Sequence, residues 1–261
     1  MTIVFLGSGN VATHLAKSFF EVKVHQILQV FSPTLANAKT LADGVGAKYT
    51  DDPKEIFVEA DLYMIALKDD AVGQIVAQMP KKLKGLIVHT SGTNDVMVLD
   101  KFDNFGVFYP LQTFKKNLEM AMENIPFLVE ANSTINTQKL IDLAQAISPK
   151  VFVLDSNQRL NVHIAAVFAC NFVNYLLTIS HELLTKNGLE LTIIEPLIQK
   201  TIENALTFKP ENTQTGPAFR GDKTVVEKHF LALANDPQTT DFAQIYRLIS
   251  QQIADRYASK C

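Results

Sequence analysis

The feature that most constrains the fold is a glycine-rich turn that directly follows an apolar run at the start of the chain. The run is Ile-Val-Phe-Leu at residues 3–6, and the turn is Gly-Ser-Gly-Asn-Val-Ala at residues 7–12. Val11, Leu15 and Phe19 then recur at helical spacing, so the sequence predicts a strand, a turn and a helix. The spacing Gly-x-Gly-x-x-Ala in this order is typical of a βαβ unit that binds a dinucleotide, and a tight turn without a ligand is the alternative.

Each position of the turn has a chemical reason. Gly7 allows the chain to turn sharply off the strand, and Gly9 has no side chain to keep a pyrophosphate away from the backbone. Ala12 is small enough for the helix to pack closely on the sheet. The amides of the first helical turn have no partner within the helix and would face the phosphates, with the positive end of the helix dipole behind them. We therefore expect the cofactor to contact Gly7, Ser8, Gly9, Asn10 and Val11.

Composition and charge narrow the possible functions. The chain has 261 residues, which is enough for two domains. Hydrophobic residues make up 47% of the chain, and charged residues make up 20%. Its net charge of −3 gives no reason to expect nucleic acid or an anionic membrane as a partner. We find no leader-like segment and no run of about 18 apolar residues, so we expect a cytoplasmic protein without a membrane span. Cys170 and Cys261 are expected to be a buried thiol and a loose end, and no metal site is predicted.

Strand and helix patterns divide the chain into two parts. Up to Leu154, apolar runs alternate with helical patterns, which predicts an α/β fold with a Rossmann-type, doubly wound, mostly parallel sheet. After Leu154 the patterns are all helical, and Asp155 heads a cluster of capping residues. We predict a dinucleotide-binding domain at residues 1–154 and an all-α domain at 155–261. The predicted strands are 2–6, 26–31, 62–67, 85–90, 105–108, 126–130 and 150–154, and the predicted helices are 10–20, 34–43, 70–78, 136–147, 158–187, 190–207, 222–235 and 239–258.

The residues behind the second strand bear on the choice of nucleotide. An NAD site usually places an acidic residue about 20 positions past the glycines, where it binds the ribose 2′-hydroxyl. Here the strand is followed by Ser32-Pro33-Thr34, so no carboxylate would repel a 2′-phosphate, and the hydroxyls of Ser32 and Thr34 could donate to it. No arginine stands there either, and Lys39 is the nearest cation. The sequence favours NADP(H) over NAD(H), although the segment could simply cap the next helix.

In an open α/β sheet, ligands bind beyond the carboxyl ends of the strands, so the residues that follow each strand are site candidates. The strand at 62–67 ends at Leu67 and is followed by Lys68, and we expect both residues to contact the cofactor. Asp69 and Asp70 come next, and we expect them to cap the following helix, because carboxylates are common at helix starts.

Two further strands deliver polar residues to the same edge. One is followed by Ser91-Gly92, and Ser91 is expected to contact the nicotinamide or the substrate. The other is followed by Tyr109 through Gln112, which we also assign to the site. His89 fits core packing and ligand contact equally well.

The predicted helix at 158–187 is the second informative feature, because it carries no charged side chain between Val162 and Ile179. On a uniform α-helix its neutral polar residues fall within an arc of roughly 80°. The rest of the circumference is apolar, so the helix should be buried on nearly all sides, in part against a second subunit. The polar stripe predicts either the lining of a cleft or a satisfied hydrogen-bond network in the core. The stripe consists of His163, Asn171, Asn174 and Thr178.

A loop at residues 215–222, Thr-Gly-Pro-Ala-Phe-Arg-Gly-Asp, interrupts the later helices. Asp222 is predicted to be the N-cap of the helix that follows. Arg220 is either a surface charge or a clamp for a substrate carboxylate or a cofactor phosphate.

Taken together, these stretches resemble a bacterial family in which a Rossmann-like domain precedes a helical domain of unknown function. The resemblance spans nearly the whole chain and is most specific in the loop at 215–222. This family is similar in architecture to pyrroline-5-carboxylate reductase, to deazaflavin-dependent NADP reductases and to 6-phosphogluconate dehydrogenase. The stretches are residues 7–12, 89–92, 109–114, His163 with 165–169, Asn171-Phe172, 215–218 and 220–222.

The resemblance implies a nucleotide domain, a helical domain that forms a homodimer, and an active site between the domains. The chain lacks a lysine one helical turn before Asn171, and its loop at 215–222 replaces the double-glycine loop of pyrroline-5-carboxylate reductase. The substrate therefore cannot be transferred from these enzymes.

These observations predict an NADP(H)-dependent oxidoreductase acting on a small imine or carbonyl compound. We expect His163 to donate the proton, because imidazole side chains in general titrate near neutrality. Asn171 would orient the substrate, Ser91 would contact the substrate or the nicotinamide, and Arg220 would bind a carboxylate. A nucleotide-binding sensor or scaffold without turnover is the main alternative. A methyltransferase is less well supported, because its glycine loop usually precedes an acid that is absent here.

Overall fold

The computed structural model describes residues 1–115, 118 and 120–257. The chain divides into two compact units, Met1–Val167 and a second that begins at Phe168. The division falls within a long helix, whereas the predicted domain boundary at residue 155 coincides with the start of that helix. Each unit is described by itself below.

The first unit is built on one eight-stranded sheet with the strand order β3-β2-β1-β4-β5-β6-β7-β8. All neighbouring strands are parallel except β6 and β7, which are antiparallel. The strands are β1 (Thr2–Leu6), β2 (Gln26–Phe31), β3 (Lys48–Thr50), β4 (Leu62–Ile65), β5 (Leu86–His89), β6 (Phe105–Pro110), β7 (Phe127–Ala131) and β8 (Val151–Val153). The helices of this unit are α1 (Asn10–Glu21), α2 (Leu35–Val45), α3 (Asp69–Gln78), α4 (Thr134–Gln145) and α5 (Ser156–Ala166).

The core of this unit lies on both faces of the sheet, which confirms the predicted α/β class and the doubly wound, mostly parallel sheet. Successive residues of β1 alternate between the two faces, so Ile3 and Phe5 pack in one apolar cluster while Val4 and Leu6 pack in the other. Strands covered on both faces read as continuous apolar runs, and this explains why β1, β4 and β5 were readily found in the sequence.

The differences from the predicted elements are local. Strand β3 was missed because it has three residues, two of them exposed, and sits at the sheet edge without an apolar run. Strand β6 extends two residues further than predicted, to Pro110, because it pairs with β7 along its whole length. Helix α5 begins at Ser156, and Asp155 and Gln158 form a capping box at its start, as the cluster of capping residues indicated.

The second unit consists of helices α6 (Val173–Thr185), α7 (Glu195–Phe208), α8 (Pro210–Thr213), α9 (Lys223–Ala234) and α10 (Thr240–Tyr257). A π-helical segment, Val167–Phe172, joins α5 to α6. Because a π turn takes one more residue per hydrogen-bonded turn than an α turn, the uniform angular spacing assumed for the polar stripe does not hold across this segment. The last predicted helix reached residue 258, which lies outside the described residues, as does Cys261.

Burial in the second unit is sparse. Of residues 168–257, all of which are described, only Thr239, Ala243 and Tyr257 are buried. The apolar helix was expected to be buried on nearly all sides, and in the single chain it is exposed instead, as is the thiol of Cys170. No residue of α6 is buried among the residues that the structure describes.

Helix Ser156–Thr185 is the one described helix that is long and apolar enough to cross a membrane by length and composition. The sequence predicts no membrane span, because it contains no uninterrupted run of about 18 apolar residues. The helix meets the criterion through its mean hydropathy, which tolerates polar residues such as His163 and Asn171. A single helix of this kind is weak evidence for a membrane span, because a helix covered by a protein partner has the same composition.

Candidate active site

The glycine turn lies between the ends of β1, β2 and β4. Gly7 has φ +122°, and a Cβ at this position would lie 2.2 Å from the carbonyl oxygen of Ala66. Its amide donates to the carbonyl of Phe31 at 2.8 Å. Only glycine combines this left-handed backbone with so close an approach, so the turn is fixed by its two neighbouring strands.

The start of α1 is open to a ligand. A Cβ on Gly9 would meet no described atom within 4 Å. Gly9 is the N-cap of α1, no side chain of the described residues caps the helix there, and its first turn contains no acidic residue. The side chain of Asn10 donates to the carbonyl of Phe114 at 2.9 Å, so it ties α1 to a neighbouring loop. The amides of the first turn, which includes Val11, can therefore bind an anion.

The residues predicted to bind the nucleotide ribose lie next to this turn. The buried hydroxyl of Ser8 donates to the hydroxyl of Ser32 at 2.9 Å, which joins the glycine turn to the end of β2. Thr34 is the N-cap of α2 and makes no side-chain capping bond with a described residue. Lys39 is engaged elsewhere, because its ammonium donates to Asp43 at 2.7 Å. The hydroxyl of Thr34 is thus available where a 2′-phosphate would be expected.

The segment after β4 borders the glycine turn. A Cβ on Gly7 would lie 3.2 Å from Cδ2 of Leu67, so this leucine packs against the turn. Lys68 is exposed and is the N-cap of α3. Asp69 is the first residue of α3 instead of its cap, and its carboxylate accepts a hydrogen bond from the Thr93 hydroxyl at 2.7 Å.

A contact between a tyrosine and a histidine joins the end of β6 to α5. The hydroxyl of Tyr109, at the end of β6, lies 2.9 Å from Nδ1 of His163 on α5. Gly92, behind β5, lies against both side chains, because a Cβ there would be 2.8 Å from Nδ1 of His163 and 2.9 Å from Cζ of Tyr109. The structure thus brings together two predicted site residues, His163 and Tyr109, and the loop that contains Ser91. Tyr109 had been assigned to the site without a specific role.

Burial sets the protonation state of Tyr109. Loss of solvent, followed by the nearby charge of Asp69, raises the pKa of the tyrosine to about 12, against a smaller opposing effect of Arg159. Tyr109 therefore keeps its proton throughout the physiological range. It can donate to His163 or accept from it, depending on which ring nitrogen of His163 carries a proton.

Ser91 and His89 build the loop that carries Gly92. The Ser91 hydroxyl accepts hydrogen bonds from the amides of Thr93 at 3.1 Å and Asn94 at 2.9 Å. The amide of Ser91 donates to Nδ1 of His89 at 3.2 Å, and His89 is completely buried. Burial first, and then the charge of Arg159, lowers the pKa of His89 to about 4, so this histidine is neutral near pH 7.

A buried arginine that is not among the predicted site residues lies one helical turn before His163. Arg159 is 1% exposed and pairs with Glu130 of β7. It also donates from Nη2 to the carbonyl of Asn94 at 2.6 Å. Arg159 lies four residues before His163, at the start of a helix that is otherwise almost free of charge. This position was the available sequence signal for its role near the site.

Asn171 and Arg220 belong to the second unit. Asn171 lies in the π-helical segment, and Arg220 is exposed in the loop before α9. Gly216 and Gly221 in this loop adopt positive φ, and Asp222 caps α9 by accepting from the amide of Val225 at 3.1 Å, as predicted. No group of three or more potential metal ligands occurs in the part of the chain that the structure describes. The proposed substrate roles of Asn171 and Arg220 stay predictions.

Comparison with protein families gives two matches that follow one another along the chain. Residues 2–90 match the model described as NADP oxidoreductase, coenzyme F420-dependent. Residues 125–253 match a domain of unknown function, DUF2520. No curated protein matches the sequence.

Solved structures show the same fold over the full length. A Bacteroides fragilis protein described as a "putative NADP oxidoreductase" is 38% identical, with a TM-score of 0.85, 97% of this chain covered and 98% of that one. An imine reductase from Myxococcus stipitatus in complex with NADP⁺ is 16% identical, with a TM-score of 0.71 and coverage of 100% and 94%. The 1-pyrroline-5-carboxylate reductase of Streptococcus pyogenes is 14% identical, with a TM-score of 0.63 and 98% coverage of both chains.

The last two similarities show a shared fold alone, whereas the first is close enough to show a family. The motifs predicted a Rossmann-like domain followed by a helical domain, and the two family matches confirm this combination. They also predicted the architecture of pyrroline-5-carboxylate reductase, which the structural similarity confirms. The likeness to 6-phosphogluconate dehydrogenase stays a prediction. The chain therefore belongs to the oxidoreductase family of the Bacteroides fragilis protein, in which a Rossmann-type nucleotide-binding domain precedes a helical domain of unknown function.

Proposed function

We propose that the chain is an NADP(H)-dependent reductase of a small imine or carbonyl compound. The observation that carries this proposal is the contact of 2.9 Å between the Tyr109 hydroxyl and Nδ1 of His163. Tyr109 lies at the end of β6, and β6 belongs to the same parallel part of the sheet as β1, which leads into the glycine turn. Reduction of a C=N or C=O bond needs a hydride and a proton, and this arrangement offers a group for the proton near the predicted nucleotide site.

The cofactor, when bound, supplies the hydride to the substrate carbon. The proton for the nitrogen or oxygen comes from the protein, and protonated His163 is the group that can release it. In that form, Nδ1–H of His163 donates to the hydroxyl oxygen of Tyr109, and Nε2 carries the transferable proton. After transfer His163 is neutral and still bonded to Tyr109, which keeps its own proton because its pKa is raised to about 12.

The residues at the nucleotide site fit a dinucleotide. Gly9 leaves open space at the start of α1, and the first-turn amides can receive the diphosphate. We propose NADP(H) as the preferred form, because Ser32-Pro33-Thr34 contains no carboxylate and the Thr34 hydroxyl caps no described backbone group. Calorimetric titration should give a lower Kd for NADPH than for NADH, and a clearly lower Kd for NADH would overturn this preference.

The catalytic proposal is tested by comparing two tyrosine–histidine pairs. His163→Ala should lower kcat by about 100-fold with a panel of cyclic imines and keto acids, while the Kd for NADPH stays within about twofold. The matched control is His229→Ala, because His229 makes an equally short contact of 2.9 Å with Tyr246 on the surface of the second unit. The control should keep wild-type kcat.

Unchanged turnover in His163→Ala would remove His163 from the mechanism. Tight NADPH binding by the wild type, with no oxidation by any compound of the panel, would instead favour the sensor or scaffold function.

We also propose that the second unit forms a homodimer. Its apolar side chains are exposed in the single chain, and burial of such a surface is what obligate interfaces provide. The side chains with the largest exposure include Phe168, Ile193, Leu197, Leu206, Phe208 and Leu248.

A further inference from the structure

Arg159 is the centre of a buried polar network beside the tyrosine–histidine pair. Its Nη1 donates to Oε2 of Glu130, and the same oxygen accepts a hydrogen bond from the Ser156 hydroxyl at 2.8 Å. Its Nη2 donates to the carbonyl of Asn94 at 2.6 Å and to the Ser156 hydroxyl at 3.1 Å. The Ser156 hydroxyl also accepts from the amide of Val96 at 3.0 Å.

These bonds connect three separate parts of the first unit. Ser156 and Arg159 lie on the first turns of α5, Glu130 lies on β7, and Asn94 lies in the loop behind β5. A buried guanidinium is costly to desolvate, and an apolar side chain could fill the same space. Hydrogen bonds, in contrast to apolar contacts, fix direction as well as distance. The network thus specifies how α5 sits on the sheet and on the loop.

The same loop and the same helix also carry the catalytic contact. Gly92, two residues before Asn94, packs against His163, and His163 is four residues after Arg159 on the same face of α5. We propose that the network of Arg159, Glu130 and Ser156 positions the imidazole of His163 against the Tyr109 hydroxyl. These three are positioning residues, and their catalytic importance rests on the function proposed above.

Arg159 also acts on its surroundings through its charge, since it lowers the pKa of both Tyr109 and His89. A purely electrostatic role would depend on the charges of Arg159 and Glu130 alone. A positioning role depends equally on the neutral hydroxyl of Ser156. Removing that hydroxyl therefore separates the two roles.

The experiment compares Ser156→Ala with Ser180→Ala in the full-length protein. The Ser180 hydroxyl donates to the carbonyl of Leu176 in its own helix, so it is a matched serine outside the network. The first readout is the ¹⁵N NMR spectrum of the imidazole of His163, which reports the tautomer and the hydrogen bond without any substrate. Ser156→Ala should shift both ring nitrogens toward their values in Tyr109→Phe, and Ser180→Ala should leave them unchanged.

The second readout is turnover with an accepted substrate. Ser156→Ala should lower kcat about 10-fold with unchanged Kd for NADPH, and Ser156→Thr, which keeps the hydroxyl, should restore it. The losses in Tyr109→Phe and Ser156→Ala should not add in the double variant, because both act through His163.

Glu130→Gln provides a second test if Ser156→Ala folds poorly, because the glutamine oxygen can still accept from Ser156 and Arg159 while the ion pair is lost. A positioning role therefore predicts nearly wild-type His163 resonances in Glu130→Gln, and a purely electrostatic role predicts shifted ones. Wild-type His163 resonances in folded Ser156→Ala, or resonances in Glu130→Gln that move as far as those in Tyr109→Phe, would overturn the positioning role. A wild-type protein that oxidises NADPH with no tested compound would contradict the proposed function instead, and the NMR result would still decide this inference.

Discussion

The two units of the chain treat their apolar residues in opposite ways. In the first unit, the strands at the centre of the sheet are fully buried, with Val4, Phe5 and Met64 at 0% exposure. In the second unit, helices α6, α7 and α9, which are described throughout, contain no buried residue. Leu206 of α7 is 83% exposed. The two units nevertheless have comparably apolar sequence patterns.

This contrast teaches what an apolar pattern does and does not specify. The pattern states that a surface must be covered, because apolar area exposed to water is unfavourable by about 25 cal/mol per Å². It does not state whether the cover comes from the same chain. The first unit covers its sheet with its own helices, and we propose that the second obtains its cover from another copy.

The largest effect is expected from removing the buried cation of the first unit. Arg159→Met should lower the free energy of unfolding by about 3–5 kcal/mol, because it leaves the carboxylate of Glu130, whose side chain is only 17% exposed, without its cation. Lys39→Met is the matched control, since the Lys39–Asp43 pair at 2.7 Å is exposed and its loss should leave the free energy of unfolding nearly unchanged. Urea unfolding followed by circular dichroism measures both. Equal losses in the two variants would show that the interior of the first unit does not depend on this pair.

The two glycines of the turn should separate folding from binding. Gly7→Ala should destabilise the first unit by roughly 2–4 kcal/mol, because its Cβ would collide with the Ala66 carbonyl and its φ is left-handed. Gly9→Ala should leave stability within about 0.5 kcal/mol, because its Cβ would meet no described atom, yet weaken NADPH binding clearly. Thermal unfolding and NADPH titration give the two readouts. Wild-type NADPH affinity in Gly9→Ala would contradict the proposed position of the diphosphate.

A pH-dependent contribution of similar size is expected from the buried His89. Its pKa is 6.5 in the unfolded chain and about 4 in the folded protein, so the unfolded state binds the proton more tightly between these values. The stabilisation by neutral His89 is therefore complete above about pH 6.5 and is lost as the pH falls toward 4.

Between about pH 7 and pH 4.5, the wild type should lose about 2–3 kcal/mol more of its unfolding free energy than His89→Gln. Glutamine can still accept from the Ser91 amide but does not titrate in this range. Urea unfolding at several pH values makes the comparison, and parallel pH profiles for the two proteins would show that His89 is not buried in neutral form.

The smallest effect per residue is expected in the second unit. Leu206→Gln should leave the stability of an isolated chain nearly unchanged, because Leu206 is exposed there, but should weaken self-association by about 1–3 kcal/mol. Sedimentation equilibrium over a range of concentrations measures this change. Val24→Gln, at an exposed apolar residue of the first unit, is the control and should not alter association. A wild-type protein that is monomeric at all concentrations would contradict the proposed dimer.

Features that depend on neighbours in sequence were predictable. The glycine turn, the strands around it and the caps at Asp155 and Asp222 follow from local spacing and backbone geometry, and the structure agrees with them. The mostly parallel sheet and the helical second part also followed from the alternation of patterns, whereas the order of the strands was not predicted.

Features that depend on distant partners were not predictable. Tyr109 and His163 are 54 positions apart, and Arg159 and Glu130 are 29 apart, so no spacing rule connects them. The π-helical segment has no sequence signature that distinguishes it from the α-helix on either side. Strand β3 is short and half exposed, and it exists because β2 offers it an edge.

The reversed direction of β7 sets the spacing of the whole site. Because β7 runs antiparallel to β6, Glu130 lies opposite Val107, two residues before Tyr109. Two strand residues advance about 7 Å, and the four helical residues from Arg159 to His163 advance about 6 Å. The ion pair of Arg159 with Glu130 and the contact of His163 with Tyr109 therefore connect α5 to the sheet at two points with nearly equal spacing on both elements. A single residue inserted into α5 between Arg159 and His163 would rotate His163 by about 100° and break its contact with Tyr109, while the ion pair would remain.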